Sequence, residues 1–255
     1  MTQKFFIILF FSFSVQWQKL QYSSYVQSYG FSVRCIKNIA SYAICDGSAP
    51  TPVVPIVSSN GKTWMDKNLG DSWAVTSSTD YEAYGCLHQW GHGNDGHASI
   101  TWASSTAGTA VNDTTTTLAS SDTPGNALFI TVGNDPYDWR SDNNDARWKG
   151  LAGTNNPCPA GYRIPTDAEF SQEATAYSIT NNATAYTNGP SGGFKFILAG
   201  SRNEIGGLIS VQGSGGNYWS SKFYGPYAYF RSNNSANSCS SINDRAYGFS
   251  VRCIK

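Results

Sequence analysis

The sequence predicts an α+β fold with one or two helices, short antiparallel strands and long loops. Three observations point there. A single strong helix-start signal lies at 165–169, where Pro165 precedes Thr166-Asp-Ala-Glu169, a capping box that opens a helix over about 167–177. Short apolar or aromatic runs bounded by glycine recur along the chain, as strands of a few residues do. Between them lie stretches of Gly, Ser, Thr, Asn and Asp with no apolar period, the longest from Gly108 to Asn144.

In chain order, residues 1–15 read MTQKFFIILFFSFSV, a lysine before an apolar run of signal-peptide length but with no small-residue cleavage site. The run is too short to span a bilayer. The nonapeptide YGFSVRCIK occurs at 29–37 and again at 247–255. Residues 1–37 therefore read as the end of a preceding repeat or a signal-like segment. Residues 38–60 hold Pro50, Pro52 and Pro55 among Ser and Ala, and read as an extended linker. A globular pattern runs over 61–255. GKTWMDKNLG at 61–70 reads as a strand and a Gly-bounded turn, FKFILA at 194–199 as a buried strand, and YWSS, YAYF and YGFSVRC near the end as three more.

Composition limits the function. Lys+Arg and Asp+Glu number 17 each, and charged residues are 13% of the chain, so no basic field is present to draw nucleic acid. Tyr (15) and Trp (8) are abundant, and Tyr with Ser, Asn and Gly is the composition of adaptable contact surfaces. No phosphate-loop, dinucleotide or nucleophile-elbow glycine motif appears where it would matter, between a strand and the start of a helix.

Six blocks together resemble one family: GKTWMDKNLG (61–70), YGCLHQWGHGNDGH (84–97), WKGLAGTNNPCPAGYRIPTDAEF (148–170), FKFILAGSRN (194–203), YWSS (218–221) and YGFSVRC (247–253). The resemblance is to the Fibrobacter succinogenes major paralogous domain, a C-type lectin-like fold related to formylglycine-generating enzymes. It covers nearly all of 61–255 and implies tandem copies, which accounts for the repeated nonapeptide. It also implies a disulfide between Cys158 and Cys253. Cys35 and Cys45, close together in sequence, are placed to pair with each other, and Cys239 has no evident role.

The ending resembles the variable proteins of diversity-generating retroelements, in which adenine-directed copying rewrites the 3′ end of a gene. Asn codons altered at their adenines reach Tyr, Ser, Asp, Ile, Cys, Arg, Phe, Gly, Pro and Ala, but not Lys, Gln, Glu, Trp or Met. Residues 224–247, YGPYAYFRSNNSANSCSSINDRAY, contain only reachable residues. The expected function is a non-enzymatic, extracellular, cell-surface or phage-borne binding protein for a protein or glycan. Its expected contact residues are Tyr224, Tyr227, Tyr229, Arg231, Asn233, Ser235, Ser238, Ser240, Asn243, Asp244 and Tyr247. The alternatives are an adhesive surface domain without diversification and a formylglycine-type catalyst.

Two cation sites need weighing. His88, His92 and His97 contain an H-x3-H spacing, but Gly91, Gly93 and Gly96 prevent the helix that would align it, so these residues read as scaffold. Asp135, Asp138 and Asp142 with Asn143 and Asn144 offer loop oxygens of the kind calcium takes.

Overall fold

The computed structural model describes residues 41–43, 45–48, 51–71 and 73–255. The chain divides into two units, Met1–Lys37 and Asn38–Lys255. The repeat remnant and signal-like segment expected over 1–37 lie outside the described residues, as does Cys35.

The strands are β1 (Ser41–Ala43), β2 (Pro55–Val57), β3 (Thr63–Met65), β4 (His88–Gln89), β5 (Ile100–Ser104), β6 (Ala107–Ala110), β7 (Thr114–Thr115) and β8 (Phe129–Ile130). After two helices, α1 (Asp167–Ala176) and α2 (Asn182–Thr187), come β9 (Ser201–Arg202), β10 (Ile209–Ser210), β11 (Gly216–Tyr224), β12 (Tyr227–Asn233), β13 (Ser238–Asp244) and β14 (Gly248–Phe249). They form small sheets in the orders β1-β5-β6, β10-β9-β14-β4 and β11-β12-β13, with pairs β2-β3 and β7-β8. Of these strand pairs among the described residues, only β7-β8 is parallel. The architecture is mixed and largely antiparallel, in keeping with an α+β fold.

Helix α1 starts where its cap places it. The Thr166 hydroxyl accepts from the Glu169 backbone, the Glu169 carboxylate accepts from the Thr166 N–H, and Arg163 holds that carboxylate at 2.6 Å. Phe170 on its buried side meets Trp64, which also packs against Phe194 and Phe196. A larger core gathers Trp90, Trp102, Trp148, Trp219 and Phe249. The chain end is threaded between these groups. Met65 and Leu69 donate to the carbonyls of Cys253 and Val251, and the fully buried Arg252 binds Asn68 Oδ1 at 2.9 Å.

Three expectations are corrected. Residues 38–60 are not a free linker where they are described. The backbone of β1 pairs with β5, β2 pairs with β3, and Cys45 is bonded to Cys86, not to Cys35. Prolines exclude helix but are tolerated in edge strands, so composition alone misread this belt. Residues 194–199 are buried but form no strand. The N–H groups of residues 194–198 go to the Asn188, Tyr186 and Ala185 carbonyls, to the Tyr218 hydroxyl and to the Ser78 carbonyl. The final block narrows to the two-residue β14, followed by single bridges such as Arg163 with Ile254. The Cys158–Cys253 bond is present, its sulfurs 2.06 Å apart.

Candidate functional site: the outer face of the C-terminal sheet

Strand β11 begins in the core and ends in solvent. Tyr218 and Trp219 are fully buried, and the Tyr218 hydroxyl accepts from Ile197 N and donates to its carbonyl. Past an irregularity between Trp219 and Phe223, the strand carries the exposed Lys222, Phe223 and Tyr224. Strand β12 then alternates. Ala228 and Phe230 point inward, Phe230 packing on Phe249 at 4.6 Å, while Tyr227, Tyr229 and Arg231 face outward and are half-buried. Strand β13 extends the sheet beyond the core and is mostly exposed. Its register sets Asp244 beside Tyr227, Ile242 beside Tyr229 and Ser240 beside Arg231. Among the described residues, no strand pairs with its outer edge.

The expected contact residues divide accordingly. Tyr224, Ser235 and Ser240 are exposed; Tyr227, Tyr229, Asn243, Asp244 and Tyr247 are half-buried and line the same sheet or its end. Asn233 is corrected: it is 2% exposed and its Oδ1 accepts from Ser238 Oγ at 2.5 Å. Arg231 donates to Ser238 Oγ and to the Ser238 carbonyl, both at 2.9 Å. The three form an internal clasp across the strand ends. Tyr229 lies under Lys222, whose Nζ is 3.9 Å from the ring centroid and 3.4 Å from Asp167.

The loop carrying the histidines holds the sheet from beneath. Trp219 donates to the His88 carbonyl and Trp90 to the Ser220 carbonyl, each at 2.8 Å; Gln89 reaches the Ala246 carbonyl at 2.7 Å. Beside the β11–β12 hairpin lies an open groove of about 770 Å³ lined by Asn144, Asp145, Lys149, Asp167, Lys222 and Phe223.

Both sequence-level cation sites have protein partners instead. His92, Asp95 and His97 bring ligand-type atoms within 4.8 Å of one another. However, His97 Nε2 accepts the Gln89 N–H at 3.2 Å, so its proton sits on Nδ1 and is given to Asp95 at 2.7 Å. A metal on Nδ1 would move that proton to Nε2, against the Gln89 donor, so the trio does not suit a metal. Burial pushes His88 down to about 4 and holds His92 and His97 well below the usual histidine range. In the acidic loop, the buried Arg147 binds Asp138 at 3.1 Å, Asp122 at 2.7 Å and also Asp142. This guanidinium takes the place expected for calcium.

Sequence reasoning missed Glu204, Lys222 and Phe223, which border the face. Glu204 stands in a Gly-rich turn, NEIGG, that gave no functional signal.

Comparison of the chain with protein-family models, with curated proteins and with solved structures finds no match.

Proposed function

We propose that the chain is a non-enzymatic binding protein of the C-type lectin-like class. It presents the outer face of β11–β13 as a contact surface, diversified by a retroelement, to an extracellular protein or glycan. One observation carries the reading: on β12 the outward Tyr227, Tyr229 and Arg231 alternate with the inward Ala228 and Phe230. Phe230 packs on Trp219 and Phe249 and Ala228 is buried in the same core, so the outward Tyr227 and Tyr229 are free to change while the frame stands. Tyrosines give rigid contact area and the Ser/Asn residues give adaptable hydrogen bonds.

Two disulfides fit an oxidising compartment, and among the described residues no helix is long and apolar enough to cross a membrane. The formylglycine-type alternative calls for a pair of reactive cysteines near the C-terminal core. Here Cys253 is bonded to Cys158 and Cys239 is an exposed single thiol, which favours the binding reading. The test is the DNA of sister isolates. Adenine-linked differences confined to residues 217–247, with a near-copy template nearby, are expected. Differences spread through the frame, or no template, would leave an undiversified adhesive domain.

A further inference from the structure

Glu204 and Asp244 are two carboxylates without a cation. Several other acids of this fold meet one: Asp138 meets Arg147 at 3.1 Å, Glu169 meets Arg163 at 2.6 Å and Asp167 meets Lys222 at 3.4 Å. Among the described residues, neither Glu204 nor Asp244 enters an ion pair. Glu204 is only 7% exposed, and its Oε2 is buried without a close hydrogen-bond partner, the Tyr247 hydroxyl lying near the carboxylate. An orphaned carboxylate oxygen at the margin of a binding face is costly unless something arrives to meet it.

The surroundings define what would fit. Asp244 ends β13, directly across from Tyr227, whose ring packs on Tyr137 at 5.6 Å. Tyr247 follows on the turn, its N–H bonded to the Asp244 carbonyl, and its hydroxyl accepts from Asn203 Nδ2 at 3.4 Å. Burial and then the nearby Glu204 raise Asp244 to about 6 and Tyr247 to about 12. The adjacent Arg202 is turned away, its guanidinium bound to the carbonyls of His97, Gly207 and Asn112. A calcium ion needs six to eight oxygens. Here the Asn203 Oδ1 is already taken by the Ile205 and Gly206 N–H groups. Two carboxylates beside tyrosine rings instead match an ammonium or guanidinium, which pairs with the one and lies against the other.

We propose that Asp244 and Glu204, together with Tyr227 and Tyr247, form a recognition corner for a basic side chain, a lysine or arginine on a protein bound to this face. The inference rests on the reading of the sheet as a binding surface and narrows its partner to a protein that presents a cation there.

The test is an NMR titration of the full chain with Nα-acetyl-arginine methylamide and with the lysine equivalent, using the uncharged citrulline analogue as control. Chemical-shift changes are expected at residues 203–205, 227 and 244–248, saturating with a Kd on the order of millimolar. Asp244→Asn, a half-exposed and conservative change, is expected to weaken binding by at least about fivefold. Glu204→Gln is expected to do the same, and Tyr227→Ala keeps the test decisive if that buried variant does not fold. Equal shifts from the citrulline analogue, no shifts, or calcium saturating the same residues ahead of the arginine probe would overturn the proposal. None of these outcomes bears on whether residues 217–247 vary between isolates, so the two readings fail separately.

Discussion

At the scale of single residues, Asp71 and the buried histidines respond to acid in opposite senses. Each histidine is depressed in the folded protein, His88 to about 4. Below about 6.5 the unfolded chain therefore takes up more protons, and stability falls as pH falls. Asp71 is raised to about 7 by burial, with one oxygen on the Trp73 N–H and Oδ2 without a partner. Its contribution is complete below about 3.8 and is lost as pH rises through about 7. Replacing Asp71 with Asn keeps the acceptor and removes the titration. The advantage of Asp71→Asn over the parent should grow by about 2 kcal/mol between pH 5 and pH 8, read from urea midpoints. The variant should also lose stability more steeply than the parent from pH 6.5 to 4.5. A pH-independent difference would show that Asp71 is ionised throughout.

At the scale of elements, β12 is where frame and display share one strand. Phe230→Ala removes a ring packed on Trp219 and Phe249 and should cost about 3–4 kcal/mol. Tyr229→Ala on the outward side should cost less than about 1 kcal/mol, the loss being its contact with Lys222. Similar losses by thermal or urea melts would show that the outward side is part of the core. This strand was legible in YAYF as a short aromatic run, but its alternation of inward and outward side chains was not. Helix α1 was legible too, because Thr166 and Glu169 are a local signal for a local structure. Strand β13 was not: SCSSIND has no apolar alternation, and its backbone is extended by pairing with β12. FKFILA at 194–199 erred the other way, since apolarity reports burial, and its hydrogen bonds run to loops instead of a ladder.

At the scale of the whole molecule, fastening matters more than regular structure. The Cys158–Cys253 bond closes a separation of 95 residues and ties the chain end to the loop before α1. Replacing both cysteines with alanine should cost about 4–5 kcal/mol on the chain-entropy account, seen as a lower urea midpoint. An unchanged midpoint would show that the tryptophan cores hold the end unaided. This pairing followed from the family resemblance, but Cys45–Cys86 did not, because half of it lies in a segment whose composition argued for a spacer. The candidate contact surface was legible as a stretch, yet not residue by residue. Asn233 turned inward because Ser238 and Arg231 close over it, a contact between strands that no linear pattern contains.

The bond from Cys45 to Cys86 has a practical corollary for handling the protein. A recombinant piece begun at Gly61, the natural cut suggested by composition, would discard β1 and β2 and strand Cys86 as a lone sulfhydryl inside the tryptophan-rich interior. Such a piece would invite mispairing with Cys239 and clumping during oxidative refolding. Cloning boundaries therefore belong upstream of Ser41.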